Sequence, residues 1–199
     1  MTRASWAVAA ILLFGAGCRP KPSWSPIGTF VADSGELLVA DPGYDLEDVK
    51  DGELGGHVKR AKKGLWTLSV KYDPPQGEGR RCAELLVKHE SVTTSKGLLR
   101  SRQKGMIGVD SGQAGIFDAR RFRDPNVVPK DHVWKDKPID PDDAWYSLCC
   151  EQTLDAAGAG VIPFGAVSSS GYGDGAYEWD VYRNKSGDAV AVRILFMED

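Results

Sequence analysis

The stretch ADSGELLVAD, Ala32 to Asp41, is echoed by VDSGQAGIFD, Val109 to Asp118. Each copy has Asp-Ser-Gly, then an acid or its amide, then an apolar run closed by a second Asp at the same offset. Glycine adopts positive φ angles that other residues resist, so each Gly marks a forced turn. Asp and Ser side chains hydrogen-bond backbone amides in such turns. A turn that feeds an apolar run is a strand–turn–strand unit. Its repetition predicts two equivalent turns of one β domain, as two pseudo-symmetric halves of one sheet. A third relative, SSSGYGDGAYEWD, runs from Ser168 to Asp180, with Ser170-Gly171 and Asp174-Gly175 as its turn residues.

Working outward, most of the chain has strand character. In LWTLSVKY, Leu65 to Tyr72, residues Trp66, Leu68, Val70 and Tyr72 share one side and Leu65, Thr67, Ser69 and Lys71 the other. DPPQGEGR interrupts with Pro and Gly, and CAELLVKHE resumes as a strand or, by composition, a short helix. These two runs pair as a long-looped hairpin. KGMIGVD and QAGIFDARRF frame the second Asp-Ser-Gly. VIPFGAVSSS, AYEWDVYR and DAVAVRILFM close the chain as three strands, with NKSGD as a hairpin turn. One helix is predicted in DPDDAWYSLCCEQTLDAAG. Asp140 is its N-cap, Pro141 its first residue, Asp142 and Asp143 suit its positive start, and Gly158 is its stop. Trp145, Leu148, Cys149 and Thr153 would face inward. RFRDPNVVPKDHVWKDKPIDP, with four prolines, is a long loop or flap over the sheet. The predicted class is mainly β, with α+β at the margin: an antiparallel β-sandwich or half-barrel with one packed helix. It forms a single domain over residues 27–199.

The 199 residues are 42% hydrophobic and 27% charged, an ordinary globular balance. The formal net charge of −3, with both signs well mixed, gives none of the basic footprint that a nucleic-acid partner requires. The first segment, MTRASWAVAAILLFGAGC, has Arg3, an apolar run from Ala4 to Phe14, then Gly15, Ala16 and Gly17 before Cys18. That pattern predicts a secretory signal peptide over residues 1–17. The run falls short of the ~20 apolar residues that span a bilayer. Small residues directly before a Cys resemble a bacterial lipoprotein signal, with Gly15 standing where that family usually has Leu. The resemblance implies lipid attachment at Cys18 and a membrane as partner. Arg19 in the next position implies the outer membrane, in an exported cell-envelope protein. Residues 18–26, containing RPKPSWSP, then form a Pro-rich tether. Three cysteines remain, Cys82, Cys149 and Cys150. In an oxidising compartment Cys82 bridges Cys149 or Cys150, or else all three are buried thiols. His57, His89 and His132 are scattered and no Cys-x-x-Cys occurs, so no zinc site is expected.

The Asp-Ser-Gly phrases carry two readings. In one they are turn chemistry. In the other Asp33, Asp110 and Asp174 gather at one end of the sheet, where three carboxylates need a cation or a shared proton. That arrangement would bind calcium, or divide acid and base roles in a hydrolysis by Asp110 and Asp174 with Ser170. Asp33, Asp110, Gly173 and Asp174 are the corresponding ligand-binding candidates. No catalytic residue, metal or cofactor is assigned on this basis. The serine-hydrolase elbow is missing, because VSSSG has Val167 where the first Gly belongs, which argues against Ser169 as nucleophile.

GVDSGQAGIFD, AWYSLCC, AVSSSGYGDGAYEWDVYRN and AVAVRILF together resemble a group of bacterial proteins of unknown function, DUF family 4241. The resemblance runs from Phe30 to Phe196 and is most specific over Gly171 to Tyr177. It implies a shared domain and no activity. The function expected is therefore that of an envelope lipoprotein whose β-rich domain binds a protein or small ligand, one form being an immunity-type protein. The alternative is the Asp-cluster hydrolase. A binding role predicts an exposed aromatic patch drawn from Trp134, Trp145, Tyr172 and Trp179. Core packing is the expectation for Trp145 and Trp179.

Overall fold

A computed structural model describes residues 23–50, 52, 54–74, 80–94, 99–133 and 140–198. The expected signal peptide, Cys18 and Trp134 lie outside these residues. Eleven strands form along the chain: β1 (Trp24–Ala32), β2 (Glu36–Ala40), β3 (Gly56–Lys59), β4 (Gly64–Asp73), β5 (Arg81–His89), β6 (Leu99–Val109), β7 (Gln113–Asp118), β8 (Ala159–Ile162), β9 (Gly165–Ser169), β10 (Gly175–Arg183) and β11 (Ala189–Leu195). A single-turn α1 (Leu46–Lys50) precedes β3, and α2 (Pro141–Leu154) precedes β8. The strands make two antiparallel sheets, one ordered β1-β4-β5-β11-β10-β6 and the other β3-β2-β7-β9-β8. This is a mainly β fold, a β-sandwich with a packed helix and no closed barrel.

The two sheets differ in what covers them. Between them lies a core containing Trp66, Leu68 and Val70 from β4, Leu85 and Val87 from β5, Leu37 and Val39 from β2, and Ile116 from β7. The outer face of the six-stranded sheet is polar. Across it Lys71 Nζ meets Glu84 Oε1 at 2.8 Å, and Arg193 bridges Glu84 at 3.0 Å and Asp180 at 2.9 Å. Its strands therefore alternate, as the Leu65–Tyr72 pattern predicts. The five-stranded sheet is buried on both faces. Its outer side carries Leu38, Ala40, Phe117 and Val167 under Trp145, Leu148 and Cys149 of α2 and Phe122 of the segment before α2. That segment, the expected flap, thus forms part of a third layer with α2. Phe117, Phe122 and Trp145 pack tilted and edge-on to one another with centroids 5.1–5.3 Å apart.

Three boundaries differ from the sequence expectation. Trp24 to Pro26, expected in the tether, already belong to β1, where Trp24 pairs with Lys71 and Pro26 with Ser69. The strand runs along the sheet's edge and has a bulge between Pro26 and Gly28, a place where proline is tolerated. VIPFGAVSSS is two strands, not one. Pro163-Phe164 turns β8 back on β9, with Phe164 at φ 64°. Finally, the phrases do not build two halves of one sheet. Each Asp-Ser-Gly carries the chain from the six-stranded sheet to the five-stranded one, β1 to β2 and β6 to β7. The third phrase carries it back, from β9 to β10.

Candidate functional site

β2 and β7 pair antiparallel with Val39 opposite Ile116. Each of these residues stands six positions beyond the first Asp of its phrase. A local pseudo-dyad therefore passes between them and carries one phrase onto the other. The second Asp of each phrase shares strand parity with the inward-facing residues, Asp41 with Leu37 and Val39, Asp118 with Ile116. Each carboxylate reaches into the corner made by the other phrase. Asp118 Oδ2 accepts the amides of Asp33 and Ser34, both at 2.8 Å. Asp41 Oδ2 accepts those of Asp110 and Ser111, both at 2.8 Å. The second oxygens match as well: Asp41 Oδ1 accepts Gly43 N at 2.7 Å and Asp118 Oδ1 accepts Arg120 N at 3.0 Å. Ser111 Oγ adds a bond to Asp41 Oδ1 at 2.6 Å. Asp41 and Asp118 are 1% and 0% exposed. The repeated phrase is a reciprocal clasp, each copy pinning the turn of its partner.

The antiparallel register places the two turns at opposite ends of the β2–β7 pair. Asp33 and Asp110 are thus separated by roughly 20 Å, at ~3.3 Å per strand residue. The expected gathering of Asp33, Asp110 and Asp174 does not occur, and the calcium arrangement built on it loses its geometry. Among the described residues no group of three or more His, Cys, Asp or Glu is disposed to hold a metal ion. The second and third phrases do meet, through Ser170 N to Gly112 O at 3.0 Å. Ser170, 1% exposed, gives its hydroxyl to Gly173 O at 2.7 Å, and Tyr177 Oη binds Gly173 O at 2.7 Å and Ser170 O at 3.0 Å. A serine spent in this way shapes its turn and has no base beside it among these contacts. Asp110 Oδ2 accepts Tyr44 Oη at 2.8 Å. Burial, that bond and the charges of Asp110, Asp41 and Asp174 push the Tyr44 phenol up to about 12. Tyr172 stands 75% exposed at the tip of the third turn, with Arg81 over its ring. Trp145 and Trp179 are core residues, as expected.

A serine, a histidine and an acid do assemble elsewhere, at positions the sequence offered no motif for. His132 Nε2 lies 2.7 Å from Ser147 Oγ, and its Nδ1 lies 3.9 Å from Glu151 Oε1. The order of exposure is opposite to that of a hydrolase. Ser147 is buried and donates to Ala144 O at 2.7 Å, while the acid faces solvent. This set pins the segment before α2 onto the helix. Cys82, Cys149 and Cys150 are free. Cys82 belongs to the core between the sheets and Cys149 to the outer core, on opposite sides of the five-stranded sheet. Burial pushes both of these thiols up.

Two hollows lie where β1 finishes, the end far from where the chain enters the domain. A cleft of about 600 Å³ is lined by Glu36, Leu38, Leu46, His57, Ala119, Arg120 and Arg121. Glu36 Oε2 and His57 Nε2 are 3.0 Å apart. A second, apolar groove of about 430 Å³ lies between the far ends of β1 and β8, with Val31, Leu65, Val161 and Phe164 in its walls. Val31 and Leu65 are 47% and 38% exposed. Arg121 joins the two hollows: its guanidinium covers the Phe164 ring at 4.8 Å and sits 3.7 Å from Asp33. Sequence reasoning missed Glu36, His57, Arg120 and Arg121. The parity of Glu36 with outward-facing Leu38 was the available signal. The approach of residues 119–121 was not legible. Comparison with family models, curated proteins and solved structures yields no match to this chain.

Proposed function

We propose that this chain is an exported envelope lipoprotein, anchored through Cys18, whose β domain binds a protein partner. The observation that carries this reading is the position of the two hollows. Both open at the end where β1 finishes, and the chain enters at the other end through Trp24. β1 has nine residues and spans roughly 30 Å. An anchor at Cys18, so few residues before Trp24, holds the entry end at the membrane and turns the far end outward. An apolar groove beside a charged cleft has the make-up of an interface with an apolar centre and a polar rim. The alternative is a hydrolase of Asp110 and Asp174 with Ser170; against it, the Ser170 hydroxyl is given to Gly173 O and Asp110 Oδ2 accepts Tyr44 Oη.

The test is affinity capture with the full chain in detergent against envelope and secreted proteins of its own cells. One stoichiometric partner is expected. Leu65→Asp should abolish its capture while shifting stability by less than about 1 kcal/mol, as half-exposed positions do. Tyr172→Ala, at the entry end, should leave capture unchanged. Capture that survives Leu65→Asp and falls with Tyr172→Ala would reverse the orientation and sink the reading.

A further inference from the structure

We infer that the Glu36 cleft is a carboxylate subsite, shaped for an acidic side chain carried beside an apolar one on a segment of the protein partner. This rests on the protein-binding reading above. The pseudo-dyad between Val39 and Ile116 carries Gln113 onto Glu36, since each stands three residues past the first Asp of its phrase. At the Gln113 end the outer face of the sheet is closed by α2. Gln113 Nε2 meets Tyr146 Oη at 3.2 Å and Cys150 Sγ at 3.5 Å. At the Glu36 end the equivalent surface opens into the cleft. The hollow is the half of a symmetric pair that the helix leaves uncovered.

Its chemistry favours an anion with an apolar body. Leu38, Leu46 and Ala119 supply apolar wall. The one acid in the lining, Glu36, has its Oε2 engaged at 3.0 Å by His57 Nε2. Arg121 is fixed between Asp33 at 3.7 Å and Asp124 at 3.4 Å. Arg120 is exposed, and no side-chain partner is found for it among the described residues. Its backbone, by contrast, is held, with the amide bonded to Asp118 Oδ1 in the clasp. A guanidinium presented from a fixed backbone can take a carboxylate with two parallel bonds, which a lysine cannot reproduce. The volume, about 600 Å³, falls within the usual range of ligand clefts.

The probe is a pair of capped dipeptides, N-acetyl-leucyl-glutamate amide and its glutamine counterpart, titrated into the full chain in detergent and followed by backbone amide shifts. The glutamate peptide should bind at around millimolar strength and at least tenfold more tightly than the glutamine peptide. The shifts should centre on Glu36, His57 and Ala119. Arg120→Gln should erase the tenfold difference with the melting midpoint unchanged, and Arg120→Lys should restore only part of it. Failure of the glutamate peptide to bind, equal binding of the two, or a preference that survives Arg120→Gln overturns the subsite. Partner capture separates the two claims. A partner still captured by Arg120→Gln at full strength, with no glutamate preference in the wild type, leaves the protein-binding reading standing and removes the subsite. A glutamate preference with no partner captured does the reverse.

Discussion

At the scale of the residue, the clasp makes an asymmetric prediction about four aspartates that look alike in sequence. Asp41 and Asp118 each accept three backbone amides in a buried corner. Truncating either leaves charge-assisted bonds unmade and buried donors without partners, worth about 3–4 kcal/mol. Asp41→Ala and Asp118→Ala should each lower unfolding stability by that amount in a urea titration. Asp33→Ala and Asp110→Ala should cost less than about 1 kcal/mol, because only their backbone amides enter the clasp. Equal losses at all four positions would refute it. Tyr44 gives a second test. Its phenol holds its proton up to about 12 in the fold, against an ordinary value of 10. Between pH 10 and 12 the native state therefore binds more protons than the unfolded chain, and stability falls as pH rises. The same direction holds for Tyr146, also pushed up to about 12, by burial and by Cys150. An ultraviolet titration should find two of the six tyrosines ionising last. Asp110→Asn, which removes a charge and the carboxylate acceptor, should bring the Tyr44 step down.

At the scale of the element, legibility follows from how many faces of a strand are wet. β4 alternates because the outer face of its sheet is polar, and Leu65 to Tyr72 could be assigned residue by residue. Between their polar ends β2 and β7 carry apolar residues on both faces, because α2 and the segment before it cover their second face. Nothing in their sequence says which sheet they join, so the crossing between sheets stayed hidden. α1 and β3 have five and four residues, too brief for a periodic signal. The second Asp of each phrase was legible in principle. Its parity with Leu37 and Val39, or with Ile116, marks it as inward, yet the turn chemistry of the first Asp drew the site reading to the wrong carboxylate. Gly56 shows a packing constraint of the same kind. A Cβ there would run into the Trp179 indole, while one at Gly105 would come within 2.9 Å of its Nε1. Trp179 closes the sandwich between β3 and β6 against these two glycines. Gly56→Ala should therefore cost about 2–3 kcal/mol, as overpacking of a rigid core does, and Gly105→Ala less. Thermal unfolding of the two variants orders them. A neutral Gly56→Ala would mean that the indole has room to move.

At the scale of the whole molecule, the three-layer arrangement decides the state of the thiols. The export proposed above would bring the chain into an oxidising compartment, where a bridge from Cys82 would ordinarily be available and would add about 2–4 kcal/mol. The five-stranded sheet stands between Cys82 in the inner core and Cys149 in the outer one. Closing a bridge needs Cα atoms within about 7 Å, and no rotamer change carries a side chain through a sheet. Burial holds both thiols protonated, so neither is a competent nucleophile for exchange. Cys150, half-buried beside Gln113, is the most accessible of the three. The protein purified from an oxidising compartment should therefore carry Cys82, Cys149 and Cys150 as free thiols. Alkylation followed by peptide mass spectrometry should modify Cys150 first under native conditions. Cys82 and Cys149 should react only in denaturant, and together, because opening either core breaks the sheet they share. A recovered Cys82–Cys149 disulfide would mean that the two cores are not on opposite sides of that sheet, and the layer order would have to be redrawn.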